Sequence, residues 1–235
     1  AFIVDENGNH PGPATMILLD EVKAGKWKPN PAVAHAVLGK PETLGFVEQY
    51  FVHYVEQLTR GGKYPLMVWP YHAMLGDVDH ALVPGIQEAL FFHEIARGSQ
   101  AKREIKGGNP LTENYSVLRP EVLEDHKGRA IAQKNTKFLE TLLAYDVLII
   151  AGQAKSHCVA WAIQDLINEI QAQDPELAKK VYLVEDLTSP VVIPGVYDFS
   201  DDANAAFQKF ADAGMHVVQS TTPIADWPDV ELKLP

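Results

Sequence analysis

The residue most suited to chemistry is Cys158, the single cysteine among 235 residues. The apolar run 147–151 before it has the composition of a buried strand, and apolar residues recur at helical spacing over 159–170 after it. Cys158 is therefore predicted to lie in the first turn of a helix, where unpaired backbone N–H groups and the helix dipole favour a thiolate. The same N–H groups could bind the oxyanion of a tetrahedral intermediate. The pattern favours a nucleophile over its alternative, a buried cysteine that packs as a small apolar side chain.

Two further side chains could serve such a nucleophile. Lys106 follows a predicted strand and precedes Gly107 and Gly108, so in a cleft its charge would lower the pKa of the thiol. The alternative is an ordinary exposed lysine. Trp69, beside Pro70 at a predicted strand end, could form one wall of a site for a flat ring, or it could pack in the core.

Two histidines lie close to these positions in the chain. His72 could ligate a metal, but a metal site needs about three protein ligands and we find no others, so we interpret His72 as a polar loop residue. His157 directly precedes Cys158. Because adjacent residues on a helix point in different directions, we expect His157 to face solvent or to support the site rather than to act as its base.

Three motifs resemble those of one known family. The segment 151–159, A-G-Q-A-K-S-H-C-V, resembles the nucleophile motif of the isochorismatase-like cysteine hydrolases, whose best-known branch is nicotinamidase/pyrazinamidase. The segment 68–72, V-W-P-Y-H, resembles the family's W-P-x-H stretch, and 105–116 resembles its K-G…Y-S stretch. The motifs occur in the family's order and together cover roughly residues 65–170.

The resemblance implies roles for individual residues. Cys158 would be the nucleophile and Lys106 the catalytic lysine. The backbone N–H groups of Ala154 and Cys158 would form the oxyanion hole, and the peptide bond between Gln153 and Ala154 would be cis. Such a non-proline cis bond costs on the order of 3 kcal/mol and persists where the surrounding structure holds it.

The implied activity is hydrolysis of a small planar amide such as nicotinamide, through a thioester and with release of ammonia. Trp69 and Tyr115 would line the substrate pocket. His72 would be the candidate ligand of a divalent metal such as zinc, although the cysteine chemistry requires no cofactor.

The general base of the family, an aspartate at the end of the first strand, has no matching motif, and neither has its D-x-H metal motif. Asp5 and Asp20 each follow an apolar run. However, Asp5 to Gly8 is typical of a turn in which the aspartate binds its own backbone, and Asp20 lies outside any predicted strand. Residues 1–41 resemble an irregular insertion carried by longer relatives. We expect the base-bearing strand to lie upstream of Ala1, on a separately supplied segment of the same protein, or to be lost.

The elements that must position these residues alternate along the chain. Strands are predicted at 1–4, 66–69, 101–106, 147–151, 181–184 and 215–219, and helices at 41–60, 85–97, 131–145, 156–172 and 201–213. Strands separated by helices favour parallel pairing, so the fold class is α/β: a Rossmann-like three-layer α/β/α sandwich with a mainly parallel sheet. We expect 1–235 to be one domain that lacks its N-terminal strand or strands. Residues 147–151 should form a central strand buried on both faces.

Composition limits the classes of function. The chain has 20 basic and 31 acidic residues, a net charge of −11, which argues against binding to nucleic acid or to an anionic membrane surface. No apolar run approaches the roughly 20 residues that span a bilayer. A single cysteine allows no internal disulfide, which favours the cytoplasm. We expect a homo-oligomer that acts on a small molecule.

Three alternatives to a nicotinamidase follow from the same observations. One is another hydrolase of the family, either a different amidase or a vinyl-ether hydrolase. A second is a non-catalytic subunit that has lost the aspartate. A third, a dinucleotide-binding protein, is disfavoured because the turn at Gly152 lacks the G-x-G-x-x-G pattern.

Overall fold

The structure, a computed structural model, describes residues 2–38, 44–61 and 64–230. The chain divides into two compact units. The first unit lies within Ala1–Ile105 and includes Glu124–Arg129, and the second lies within Lys106–Leu123 and Ala130–Pro235. Among the described residues, no helix is both long enough and apolar enough to cross a bilayer.

The first unit combines two short antiparallel strand pairs with helices. Its elements are β1 (Ile3–Val4), β2 (Met16–Ile17), α1 (Leu19–Lys23), β3 (Lys28–Pro29), α2 (Pro31–Leu38), α3 (Leu44–Arg60), β4 (Leu66–Met67) and α4 (Pro84–Arg97). Strand β1 pairs with β3, and β2 pairs with β4. Helix α3 buries Tyr50, Phe51, Tyr54, Val55 and Leu58, a set at helical spacing.

The second unit contains a parallel sheet. Its elements are α5 (Thr136–Leu143), β5 (Leu148–Ile150), α6 (Ala160–Gln173), β6 (Val181–Val184), β7 (Val192–Ile193), β8 (Tyr197–Asp198), α7 (Ser200–Asp212) and β9 (His216–Val218). Strands β5, β6 and β9 are parallel in that order, while β7 and β8 form an antiparallel pair. A π-helical turn, Lys155–Val159, precedes α6. Short 3₁₀ turns occur at Val78–His80, Pro175–Lys180, Glu185–Leu187 and Ile224–Asp226.

Strand β6 has two buried faces that pack against different layers. Val181 and Leu183 face a core formed with helices α5, α6 and α7. Tyr182 and Val184, on the alternate face, pack with β9 and with Trp227, whose ring lies 5.5 Å from that of Tyr182. The second unit is therefore a mixed α/β structure in which three helices cover one face of a parallel sheet.

The prediction that 147–151 forms the central strand is wrong. In the described sheet β6 is central and β5 lies at an edge, where Ile149 is 45% exposed. An apolar run indicates a strand, but its place in a sheet depends on which strands reach both of its sides. Strand β6 has the parallel neighbours β5 and β9, and all four of its residues are buried.

Several predicted boundaries also differ. No strand forms at 101–106, since most of this charged segment is exposed and has no apolar face to bury. The helix predicted over 131–145 begins only at Thr136, because the side chain of Asn135 caps it by accepting a hydrogen bond from the N–H of Phe138. Residues 1–41, expected to be an irregular insertion, contain β1, β2, α1, β3 and α2 within their described part. The predicted helix start at Pro41 lies outside the described residues.

Candidate active site

Cys158 lies in the π-helical turn that follows β5. The chain leaves β5 at Ile150, and Gly152 adopts φ +116°, a conformation that side chains with a Cβ rarely adopt. The peptide bond between Gln153 and Ala154 is cis, at the position that the motif implies. The turn then continues into α6, with Cys158 partly buried. Single π-helical turns in α-helices are frequent at functional sites.

The loop after β6 holds this turn by hydrogen bonds. The N–H of Gly152 donates to the carbonyl of Leu187 (3.1 Å), and the N–H of Lys155 donates to the carbonyl of Ser189 (2.8 Å). The hydroxyl of Ser189 donates to Oε1 of Gln153 (3.0 Å). Because β5 and β6 are parallel, their carboxyl ends lie at the same edge of the sheet, so the two following loops meet there.

Lys155 is a buried cation three residues before the cysteine. Its side chain is 6% exposed, and Nζ donates to Oε1 of Glu185 (2.8 Å) and Oδ1 of Asn204 (2.9 Å). The ammonium also lies 4.6 Å from the ring centroid of Phe207. Lys155 is not among the site residues predicted from the sequence. Its charge, within the turn of the nucleophile motif, is the sequence feature that could have indicated it.

His157 is buried, which excludes the solvent-facing alternative and leaves a supporting role as the prediction. It is 4% exposed, and its ring meets that of Phe199 edge-on at 4.7 Å. Nδ1 lies 2.8 Å from Oγ of Ser156, which also accepts a hydrogen bond from the N–H of Val191. Burial lowers the pKa of His157 to about 4, so the imidazole is neutral at pH 7. His157 therefore supplies no positive charge beside Cys158 at that pH.

Lys106 and Tyr115 lie in the same unit as Cys158. Nζ of the exposed Lys106 donates to the carbonyl oxygen of Tyr115. The Tyr115 ring lies 5.8 Å from that of His157, centroid to centroid. Tyr115 thus links the lysine segment to the residue next to the cysteine. An approach of the Lys106 ammonium to the Cys158 thiol stays a prediction.

Trp69 and His72 belong to the first unit. Trp69 is partly buried and follows Val68, whose N–H and carbonyl bond to Thr15 and Ala14. His72 is exposed, and its Nδ1 donates to the carbonyl of Pro70 (2.7 Å). Their expected roles, in a pocket and at a metal, stay predictions.

The residues present do not fit a metal centre. Within 2–38, 44–61 and 64–230, no group of three or more His, Cys, Asp or Glu side chains is placed to hold a metal ion. A protein zinc site takes three or four such ligands. In the described part of the chain, His72 therefore lacks the further ligands that a zinc site requires.

Asp5 is engaged in a turn, as its sequence context predicts. Its Oδ1 accepts from the N–H groups of Asn7 (2.9 Å) and Asn9 (2.7 Å), and Oδ2 accepts from the Asn9 amide (3.1 Å). The hydrogen bond from the Asn9 backbone is the largest cause that lowers the pKa of Asp5. Asp20 lies in the first turn of α1. Neither aspartate follows a strand of the parallel sheet.

The fold and the site together define an α/β protein with a cysteine in the turn after a parallel strand. The chain matches no protein-family profile, and no curated protein matches it. Several solved structures are similar, among them structures of nicotinamidases.

Three of these structures show the extent of the similarity. The nicotinamidase/pyrazinamidase of Acinetobacter baumanii is 18% identical (TM-score 0.39), and the match covers 68% of this chain and 63% of that one. The yeast nicotinamidase bound to nicotinaldehyde is 20% identical (TM-score 0.43), with 67% and 61% covered. The nicotinamidase of Bacillus subtilis is 13% identical (TM-score 0.40), with 74% and 86% covered. The match therefore spans less than two thirds of the Acinetobacter and yeast chains.

Proposed function

We propose that this chain is a cysteine-dependent amidohydrolase that cleaves a small planar amide such as nicotinamide. The observation that carries the proposal is the position of Cys158, partly buried in the turn that leaves a parallel strand at its carboxyl end. Open α/β sheets bind ligands at this edge. The resemblance of the three sequence motifs supports an amide as the substrate.

In the first half of the reaction, the Cys158 thiolate attacks the carboxamide carbon. The C–S bond forms while the carbonyl π electrons move to oxygen, and the N–H groups of Ala154 and Cys158 are the proposed donors to that oxyanion. Other N–H groups of the turn are already hydrogen-bonded and would not compete for the oxyanion, among them that of Lys155, which donates to the carbonyl of Ser189. The N–H groups of His157 and Val159 both donate to the carbonyl of Ala154 (3.0 and 3.1 Å).

In the second half, the tetrahedral intermediate collapses to a thioester. The C–N bond breaks, and the nitrogen leaves as ammonia after it takes a proton from a general acid. Water, deprotonated by the same group, then adds to the thioester and releases the carboxylate and the thiolate. Lys106 is proposed to stabilise the negative charge of the thiolate.

The acid/base group is proposed to be an aspartate on a segment of the same protein outside these 235 residues. Both carboxylate oxygens of Asp5 accept hydrogen bonds within its own turn, and Asp20 lies on α1, which disfavours both as the base. General acid/base catalysis typically accelerates such steps ~10²–10⁴-fold. We therefore expect slow turnover by the 235 residues alone. The same observation keeps a non-catalytic subunit as the second candidate.

The test combines ammonia release with labelling of the thiol. Cys158→Ala should fold with an unchanged unfolding midpoint and release no ammonia from nicotinamide above the uncatalysed rate. In the unaltered chain, iodoacetamide should label Cys158 at pH 7 faster than it labels a free thiol of ordinary pKa, because a stabilised thiolate is the reactive form. Since Cys158 is the single cysteine, the labelling reports on it alone.

The two measurements separate the candidate functions. Full ammonia release by Cys158→Ala would contradict the nucleophile assignment and favour another hydrolase of the same family. Slow labelling of Cys158 without ammonia release from any amide tested would favour the non-catalytic subunit. A matched control is Ser99→Ala, an exposed substitution beyond the end of α4 that should leave both measurements unchanged.

We also propose that the chain forms a homo-oligomer through α4. Most of this helix is exposed, including the large apolar side chains Ile86, Phe91, Phe92 and Ile95. Exposed apolar surface of this extent is typical of an interaction site. A second copy of this chain fits, because an antiparallel pair centred between Leu90 and Phe91 would set Phe92 opposite the small Ala89 of the other copy.

A further inference from the structure

The side chain of Lys155 contacts two elements outside the Cys158 turn. Its Nζ reaches Glu185, in the loop directly after β6, and Asn204 on α7. The ammonium also lies over the ring of Phe207, one turn further along α7. One buried side chain therefore joins the turn to the end of the central strand and to a helix.

The hydrogen bonds of Lys155 and Glu185 continue to the end of the third parallel strand, β9. Oε2 of Glu185 accepts from Nε2 of Gln219 (3.2 Å), which directly follows β9. The side chains of Lys155, Glu185 and Gln219 thus connect the loops at the carboxyl ends of β5, β6 and β9. This is the edge at which Cys158 lies.

The burial of an ammonium requires a reason. Taking a charge out of water is costly unless the partner geometry is good, and an apolar residue of similar volume commonly serves stability as well or better. The side chain of Lys155 is buried. Its ammonium forms an ion pair with Glu185 and donates a hydrogen bond to the neutral amide of Asn204. The pair favours one arrangement of the turn, because any arrangement that separates Lys155 from its acceptors leaves a buried ammonium without partners.

We propose that Lys155 is a positioning residue for the Cys158 turn. Through Glu185 and Asn204 it holds the segment 152–158 so that the Cys158 thiol and the N–H of Ala154 face the same bound carbonyl group. This inference deepens the proposed function and rests on it for its catalytic meaning. The positive charge of Lys155 is compensated by Glu185, so Lys155 acts through geometry rather than by lowering the pKa of the thiol.

The closing experiment uses the full chain and four variants: Lys155→Met, Glu185→Gln, the combination of both, and the control Lys179→Met. Lys179 is an exposed lysine that also pairs with a glutamate, Glu176, so its variant removes the same charge away from the site. Three quantities are measured for each: the unfolding midpoint, kcat and KM for ammonia release from nicotinamide, and the pH profile of Cys158 alkylation by iodoacetamide.

Lys155→Met should lower kcat roughly 10- to 100-fold with little change in KM, as expected when reacting groups move by about 1 Å. Its alkylation should slow at every pH, and in the combined variant, where both charges of the pair are removed, the pH midpoint should stay that of the unaltered chain. The combined variant should be no slower than Lys155→Met alone, because both substitutions break one interaction. Lys179→Met should match the unaltered chain in all three measurements.

Each contrary result overturns a stated part of the inference. A folded Lys155→Met variant with unchanged kcat and alkylation contradicts positioning. A pH midpoint of alkylation that rises in the combined variant, which leaves no unpaired Glu185 charge, contradicts the geometric role, since it shows that the charge of Lys155 stabilises the thiolate. If Lys155→Met does not fold, Asn204→Ala, an exposed substitution that removes the other acceptor of Nζ, provides the same test of positioning.

Failure of the proposed function has a different signature. An unaltered chain that releases no ammonia, but whose Cys158 alkylates fast and is slowed by Lys155→Met, contradicts amide hydrolysis and retains the positioning role. An active chain whose kcat and alkylation are insensitive to Lys155→Met retains amide hydrolysis and contradicts the positioning role.

Discussion

His157 is the residue that should make the stability of this protein fall at low pH. It lies buried between Ser156 and Phe199, and burial lowers its pKa from 6.5 to about 4. In the unfolded chain the same histidine takes up a proton near pH 6.5. The unfolded chain therefore binds more protons between these two values, and the stability that the neutral form contributes above pH 6.5 is lost as the pH falls toward 4.

His157→Gln should remove much of this pH dependence. We expect the free energy of unfolding of the unaltered chain to fall by about 2–3 kcal/mol at most between pH 7 and pH 4.5 through this group. The variant should be less stable at pH 7 but lose less on acidification. Urea unfolding at both pH values measures the difference, with the exposed His10→Gln as control. An equal loss in the variant and the unaltered chain would show that His157 does not carry the effect.

Helix α5 illustrates how a single side chain determines where an element begins. The periodicity of apolar residues predicts a helix from residue 131, yet the chain becomes helical only at Thr136. Oδ1 of Asn135 accepts from the N–H of Phe138, which satisfies one of the N–H groups left unpaired at the start of a helix. The cap matters for the core, because Leu139 in the next turn is buried against α6 and the sheet.

Asn135→Ala should lower the free energy of unfolding by about 1 kcal/mol, the usual cost of losing an N-cap. Asn135→Asp, which keeps a side-chain acceptor at the cap, should retain most of the stability. Chemical denaturation with circular dichroism provides the measurement. Lys137→Ala, an exposed substitution on the same helix, is the control and should change the free energy by less than about 0.5 kcal/mol. Equal losses in Asn135→Ala and Asn135→Asp would argue against a capping role.

At the scale of the whole molecule, the exposed apolar side chains of α4 predict self-association. Phe92 and Ile95 are 59% and 62% exposed, and the small residues Gly85, Ala89 and Ala96 lie on the same side of the helix. A face that alternates large and small side chains can pack against a copy of itself about a twofold axis. Glu88 lies within this face, between Ile95 and Phe92, and the antiparallel arrangement sets it opposite His93 of the other copy rather than opposite a second Glu88.

Sedimentation velocity on the full chain should therefore show a dimer or larger oligomer at micromolar concentration. Phe92→Glu should shift the population to the monomer, because it places a charge in the centre of an apolar interface. Gln87→Glu makes the same change of charge on another side of α4 and should leave the oligomer intact. A monomeric unaltered chain, or equal effects of the two variants, would contradict self-association through this helix.

Local patterns of residue types are sufficient to predict several elements of this fold. The apolar spacing of α3, α6 and α7 predicts these helices closely, and the four-residue strand β6 agrees with its prediction at both ends. The same local patterns predict that Cys158 follows a strand and a short turn. The apolar run, the glycine that marks the turn and the helical periodicity all lie within about 25 residues. The turn around Asp5 belongs to the same class, because its hydrogen bonds join residues at most four apart.

The identity of the central strand and the burial of particular polar residues depend on contacts between distant segments, which local patterns do not predict. The order β5-β6-β9 joins segments more than 30 residues apart, and the apolar run that formed β5 carries no information on what lies beside it. Lys155 and His157 are of residue types usually found at the surface, yet both are buried by contacts with distant segments. Lys155 contacts Glu185 and Asn204, and His157 contacts Phe199. Burial depends on contacts between distant parts of the chain, and a local pattern of residue types records only the contacts within its own segment.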